Sequence, residues 1–230
     1  MNERLKLKNN PLFLNNIIFI LVIIQNIGEF MAIKNLPKFI RSNYEIHEWN
    51  HASTILENDF PNEWKDIIDV LKKFRVKKSH IIVGGGGRSK VTQSLDSAFY
   101  QKDWEKHEFD TLIIVDDIGS ETPTHEVDCV KNRVALEIEW SNKDPFFDRD
   151  LNNFRLLFDR GAISVGIIIT KSDRLSEIFK ELNIFDKYGW TSTWMKKLLP
   201  RVEGGGQGGC PVLIFGIKKS LYQEDTLDVI

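Results

Sequence analysis

From Val134 to Ser141 the chain alternates cleanly: Val134, Leu136, Ile138 and Trp140 share one side, Ala135, Glu137, Glu139 and Ser141 the other. A period of two sends successive side chains to opposite faces of a β-strand, so this segment predicts a strand. The spacing then changes. Phe147, Leu151, Phe154 and Phe158 recur at helical intervals, which predicts a helix over 147–159 that stops at Gly161. Ile163 to Thr170 is almost continuously apolar, as expected of a strand covered on both faces. Strand, crossover helix and strand, in that order, predict parallel pairing within a sheet flanked by helices.

The flanking segments extend the same picture. Trp64, Ile67, Ile68 and Leu71 form one apolar helical face, with Pro61 near its start and Asp59 placed to cap it. Ile81 to Val83 predicts a short strand running into Gly84–Gly87, residues 91–102 a second helix, and Thr111 to Val115 another strand. A last strand, Val212 to Ile217, follows the glycine-rich loop Gly204–Gly209. The fold class is therefore α/β, a mixed central β-sheet flanked by helices. With no internal repeat and no linker, residues 31–230 read as a single domain. The run Gly84–Gly87 continues into Arg88-Ser89-Lys90 and lacks the Gly-Lys-Ser/Thr order of a phosphate-binding loop, so no nucleotide cofactor is expected.

Residues 1–30 differ in kind. Ile17 to Ile24 is an unbroken apolar run preceded by Arg4, Lys6 and Lys8. It falls short of the roughly 20 residues a spanning helix needs. Asn15, Asn16, Gln25 and Asn26 bracket it, and no small-x-small cleavage site follows. The expectation is a hydrophobic N-terminal extension upstream of a natural start at Met31. A membrane tether is the competing reading.

Composition narrows the partners. Hydrophobic residues make up 42% of the chain and charged residues 28%, ordinary for a globular protein. A formal charge of −2 supplies no global field to recruit DNA or an anionic membrane. DNA binding would rest on local basic patches: Lys72, Lys73, Arg75, Lys77 and Lys78, and further on Lys196, Lys197 and Arg201. Each patch reads equally well as a solvated helix face. Cys129 and Cys210 are too few for a four-cysteine zinc site and suggest no disulfide framework, which fits reduced thiols in the cytoplasm.

Glu137 and Glu139, two apart on a strand, leave the same face, roughly 6.6–6.8 Å apart along the backbone. Asp128 lies nine residues before Glu137, and a strand and a turn could return it beside that residue. Clustered carboxylates can hold Mg²⁺, a hard cation that takes one or two of them together with waters and phosphate oxygens. Such an ion can activate water and stabilise charge in phosphodiester hydrolysis. Spacing alone describes equally well a strand whose polar face lies in water.

The residues carry a resemblance that bears on this choice. Asp-Cys-Val-Lys-Asn-Arg-Val-Ala-Leu-Glu-Ile-Glu-Trp-Ser-Asn from Asp128, continuing through the helix to Gly166-Ile-Ile-Ile-Thr170, resembles the core of the BglII/BstYI family of type II restriction endonucleases, and more distantly BamHI. Trp49-Asn50-His51-Ala52, with Ile55, Leu56 and the Trp64 helix, resembles that family's opening. Arg201 through Pro211-Val-Leu-Ile-Phe-Gly216 resembles its ending, so the likeness spans most of residues 44–218. It implies a PD-(D/E)xK nuclease core. Asp128 and Glu137 would be metal ligands, aided by the backbone carbonyl of Ile138. Glu139 occupies the motif's usual lysine position and would be a further ligand or the group that orients water.

The resemblance further implies a Mg²⁺-dependent type II endonuclease acting as a homodimer on double-stranded DNA at a palindromic, GATC-containing site. Asn142 would contact bases, an amide being able to pair with adenine in the major groove, although asparagine also favours turns. Arg88 and Arg201, each beside a glycine-rich loop, are further DNA-contact candidates, and His51 reads as structural. A non-catalytic DNA-binding protein of the same fold and a repair nuclease are the alternatives.

Overall fold

The computed structural model describes residues 36–83 and 88–225. The N-terminal extension and the run Gly84–Gly87 fall outside these residues. Among those described, no helix is long and apolar enough to cross a membrane.

In chain order the elements are α1 (Lys38–Asn43), β1 (Tyr44–Trp49), α2 (Ala52–Asp59), α3 (Pro61–Lys73), β2 (Val76–Lys77), α4 (Lys78–Ile81) and α5 (Lys90–Tyr100). Then come β3 (Glu105–Val115), β4 (Ile118–Lys131), β5 (Val134–Ile138), α6 (Phe146–Asp159), β6 (Val165–Lys171) and α7 (Ser176–Glu181). The series closes with α8 (Met195–Glu203), β7 (Val212–Ile217) and β8 (Tyr222–Gln223).

Six strands form one sheet in the order β1-β7-β6-β5-β4-β3, and β2 pairs with β8 apart from it. The three central strands β5, β6 and β7 run parallel, as the strand–helix–strand order predicts. β1 pairs antiparallel at one side, β4 and β3 at the other, so the sheet is mixed. β3 and β4 meet through Asp116 and Asp117, both at positive φ (49° and 63°), the backbone a two-residue hairpin turn requires.

One face of the sheet presents Ala135, Ile168, Val212 and Ile214 to α6 and α8, where Phe147, Leu151, Phe154, Leu157, Leu198 and Val202 close the core. The close approach of α6 depends on Gly166, since a Cβ there would collide with the Phe154 ring. α2 packs on β1, β6 and β7, while α5 lies on β4 and β5. All of β5, β6 and β7 is buried. α6 ends as its sequence predicts: Gly161 has φ 72°, its N–H donates to Phe158 O and that of Ala162 to Leu157 O, satisfying two end carbonyls.

Two local expectations are corrected. Asp59 is the last residue of α2 and Phe60 occupies the cap position of α3, whose start rests on Pro61. The segment Ile81–Val83 is no strand: Ile81 ends α4, and the short pairing lies earlier, at Val76–Lys77. Three apolar residues cannot separate strand from helix by periodicity, and here tertiary packing decides.

Candidate active site

The carboxylates gather where β4 and β5 run side by side toward the end of β5. Cys129 pairs with Leu136 across this antiparallel ladder, so Asp128 comes level with Glu137. Two hydrogen bonds tie them. The Asp128 N–H donates to Glu137 Oε2 at 3.4 Å, and Asp128 Oδ2 accepts the N–H of Ile138 at 3.1 Å. The strand and turn through Asn132, at φ 51°, thus return Asp128 to Glu137. Glu139 stands one rung beyond the end of β5, its N–H bonded to Ile169 O at 2.9 Å. Its Oε1 accepts from the Asn142 side chain at 3.2 Å.

Neither glutamate lies on a solvated face. Each is only 1% exposed, and among the described residues Glu137 Oε1 has no hydrogen-bond partner. Burial makes such carboxylates expensive unless they are protonated or meet a cation. Burial first, then Asp150 and Asp128, raises the Glu137 carboxyl well above the usual carboxylate range. Burial and Asp150 push Glu139 up to about 9.

Asp150, on the first turns of α6, is the residue that sequence reasoning missed. It is fully buried and faces the Glu139 carboxyl across a hydrogen bond, and burial raises its carboxyl to about 6 against the opposing pull of Arg149. The signal was present in the pattern: Phe147, Asp150, Leu151, Phe154 and Leu157 share one helical stripe, so an acid sits among apolar residues. Arg149 donates to Asp150 Oδ1 through Nε at 3.0 Å and Nη2 at 2.7 Å, and Nη2 lies 3.7 Å from Glu139 Oε1.

Of the sequence-predicted DNA contacts, Arg88 joins the cluster. Its Nη2 lies 2.6 Å from Asp96 Oδ2 and 3.5 Å from Asp128 Oδ1. Asp96, on α5, is nearly buried, and burial drives its carboxyl up to about 7. Asn142 is also present, beside Glu139, its carbonyl held by the Thr193 N–H at 3.0 Å. Arg201 is engaged elsewhere, bonding Asp148 at 2.8 Å, Asp144 at 3.3 Å and the Lys197 carbonyl at 2.6 Å. Lys73, Arg75 and Lys77 of the first basic patch line a cleft of about 540 Å³ with Leu95 and Ala98 of α5. His51 has φ 58° and precedes α2.

Beyond Glu139 the chain enters an aromatic box. Lys171, fully buried at the end of β6, donates to the Trp140 carbonyl and lies 5.3 Å from the Trp140 ring and 4.9 Å from that of Trp194. Burial lowers its ammonium to about 7, with Glu139 opposing. These contacts, with the Asn142–Thr193 bond, fasten the turn that follows the two glutamates.

As placed, no three Asp, Glu, His or Cys side chains among the described residues converge on a common metal position. The donors still suit a hard divalent cation. Mg²⁺ uses one or two carboxylates and fills its remaining positions with water and substrate oxygens, and Asp128 and Glu137 offer such a pair with a buried, unpartnered oxygen beside it.

A mixed α/β sheet with buried carboxylates at the end of its central parallel strands defines a protein of the restriction-endonuclease-like class. The family described as restriction endonuclease BglII/BglIII matches residues 44–217. The chain belongs to that family and is a type II site-specific deoxyribonuclease, a hydrolase whose substrate is DNA. Enzymes of this family generally use a divalent metal ion. No curated protein matches the chain.

Proposed function

We propose that this enzyme hydrolyses phosphodiester bonds of double-stranded DNA in a Mg²⁺-dependent reaction at a palindromic site containing GATC, acting as a homodimer in the cytoplasm. Residues 31–230 form the nuclease domain, and residues 1–30 are an upstream extension. The observation that carries the reading is the Asp128–Glu137 pair, locked across β4 and β5 with a buried Glu137 oxygen left without a partner among the described residues.

In this reading Asp128, Glu137 and the carbonyl of Ile138 hold the metal. The bound ion supplies charge neutralisation for the phosphate and lowers the pKa of water. Glu139 orients the attacking water, with Asn142 fixing the carboxylate through its 3.2 Å bond. Water adds to phosphorus, one P–O ester bond breaks, the water proton passes to a base, and the departing alkoxide takes up a proton. Asn142 also reads bases at the strand end, and Arg88 contacts the backbone beside Asp128. Arg201, whose donors are engaged by Asp144 and Asp148, reaches DNA by exchanging one of those bonds for phosphate. A two-fold dimer gives each antiparallel DNA strand its own site, matching a palindrome.

Incubation of the purified chain with unmethylated phage DNA, in Mg²⁺ and in EDTA, tests the proposal. Discrete fragments that require Mg²⁺ are expected, and sequencing their ends reads the site. Fragments without GATC at their ends would refute the site assignment alone, and no cleavage on several DNAs would refute the reading.

A further inference from the structure

We propose that Arg149 is a catalytic residue of this site, a guanidinium aimed by the buried Asp150 to donate to a non-bridging oxygen of the scissile phosphodiester. The inference rests on the nuclease reading and adds to the motif a residue outside it.

Asp150 is fully buried, and its Oδ1 takes both Nε and Nη2 of Arg149, at 3.0 and 2.7 Å. A fork held at two nitrogens has a fixed plane, and the Phe146 ring, 4.6 Å from the guanidinium carbon, fixes it further. The same group lies 3.7 Å from Glu139 Oε1, so it borders the place where water would be activated. It is not sealed in. The Arg149 side chain is 49% exposed, and among the described residues Nη1 makes no hydrogen bond. One edge of the fork is therefore committed to positioning, and a donor remains for a ligand.

Charge points the same way. Four carboxylates, Asp128, Glu137, Glu139 and Asp150, crowd this end of the sheet, with Arg88 on one flank and Arg149 on the other. An anionic phosphodiester approaching such a cluster needs positive groups already in place. Hydrolysis adds negative charge to the non-bridging oxygens, and preorganised donors stabilise that charge most when they need not move. The nearby acids of the same helix end do not compete for Arg149, because Asp144 and Asp148 are held by Arg201.

A simpler role is that of internal counter-ion, neutralising Glu139 and Asp150 until a metal arrives. The two roles give opposite results. Removing a mere counter-ion tightens divalent-ion binding and leaves turnover at saturating Mg²⁺ intact. Removing a phosphate donor lowers turnover even at saturating Mg²⁺, by about 10²–10³-fold.

The experiment uses the full chain and a duplex that the wild type cuts. Single-turnover rates at saturating Mg²⁺ are measured for wild type, Arg149→Gln, Arg149→Lys and Asp150→Asn. Duplex affinity in Ca²⁺, Ca²⁺ binding without DNA, and thermal melting accompany them. Arg149→Gln should lose about 10²-fold or more in rate while its duplex affinity changes less than about tenfold. Arg149→Lys, which keeps the charge but loses the fork, should fall between, as should Asp150→Asn. A rate for Arg149→Gln within threefold of wild type overturns the proposal, as does Arg149→Lys at the wild-type rate. Should Arg149→Gln fail to fold by melting, the Lys and Asn variants decide by the same criterion. Failure of the wild type to cut any duplex would instead overturn the nuclease reading beneath it.

Discussion

Asp128 and Ile138 are joined across two strands: the Ile138 N–H donates to Asp128 Oδ2 at 3.1 Å, at the point where Glu137 and Glu139 flank Ile138 along the chain. One carboxylate is thereby fixed by the backbone of the segment that carries the other two. The arrangement is rigid because β5 is buried throughout and paired on both sides. It is also costly, since Glu137 and Glu139 are almost without solvent.

That cost predicts a trade between stability and activity. Glu137→Gln keeps the shape and removes a carboxyl whose ionisation is opposed by burial, Asp150 and Asp128. It should raise apo stability by about 1 kcal/mol, as substitutions that relieve a strained functional site do. Cleavage should fall by about 10³-fold or more, the order seen when a catalytic group is lost. Melting curves and cleavage rates on one preparation check both halves, and a variant that is less stable yet still cuts would count against the account.

The pH dependence of apo stability follows from the same cluster. Glu139, ordinarily near 4.5, takes up its proton at about 9 when folded, so the folded chain binds more protons than the unfolded one. Stability is then greatest at low pH and falls as pH climbs from 4.5 toward about 9. Asp150 adds to the fall between 3.8 and about 6. Lys171 acts oppositely. Its folded value of about 7 against 10.5 means that stability is regained as pH rises above about 7. Asp96, between 3.8 and about 7, and the raised Glu137 act in the same direction as Glu139, so the decline should be steepest between about 4.5 and 6, and Glu139→Gln should make it shallower. Melting temperatures across this range, with EDTA present, provide the check. A wild-type curve as flat as that of the variant would contradict it.

Much of this architecture was legible in the sequence. Alternation gave β5, the helical stripe gave α6, and the continuous apolar run gave β6 with its parallel pairing, because each pattern was long enough to fix a period. The nine-residue spacing allowed a strand and a turn to return Asp128 to Glu137, and the β4–β5 ladder does so. Arg149 and Asp150 were harder to find. Asp150 falls within the apolar stripe of α6, but Arg149 beside Asp148 looks like part of a solvated charged face, and the role of the pair appears only when α6 brings Arg149 to Glu139. Lys171 likewise reads as the polar end of an apolar strand until Trp140 and Trp194, distant in sequence, close around it. Asp96 gave no signal of its own, since its partner Arg88 lies on a neighbouring loop.

Gly166 tests the packing that places α6. With three Phe154 ring carbons within 2.8 Å of where the added methyl would sit, Gly166→Ala must push the ring or the helix away. Overpacking of this kind should cost about 1–3 kcal/mol. Because α6 carries Arg149 and Asp150, cleavage should drop as well, even at temperatures where the variant remains folded. Denaturant midpoints paired with cleavage rates well below the melting temperature would show whether the two losses occur together.

The DNA contacts proposed for Asn142 and Arg88 differ in kind and should separate in solution. Asn142→Ala should relax discrimination among related sites by about 1–3 kcal/mol. Arg88→Gln should weaken binding to all duplexes alike and reduce the salt dependence by about one phosphate contact. Binding titrations in Ca²⁺ at several salt concentrations measure both quantities. A selective loss at one base step in Arg88→Gln would exchange the two assignments.

The pairing of Asp128 with Glu137 as the working centre is tested most directly by single-turnover cleavage of one duplex by wild type, Asp128→Asn and Glu137→Gln in Mg²⁺, with affinity for that duplex measured in Ca²⁺. All three should bind the duplex, and only the wild type should cut it at an appreciable rate. Either variant cutting at a rate near that of the wild type would contradict the assignment.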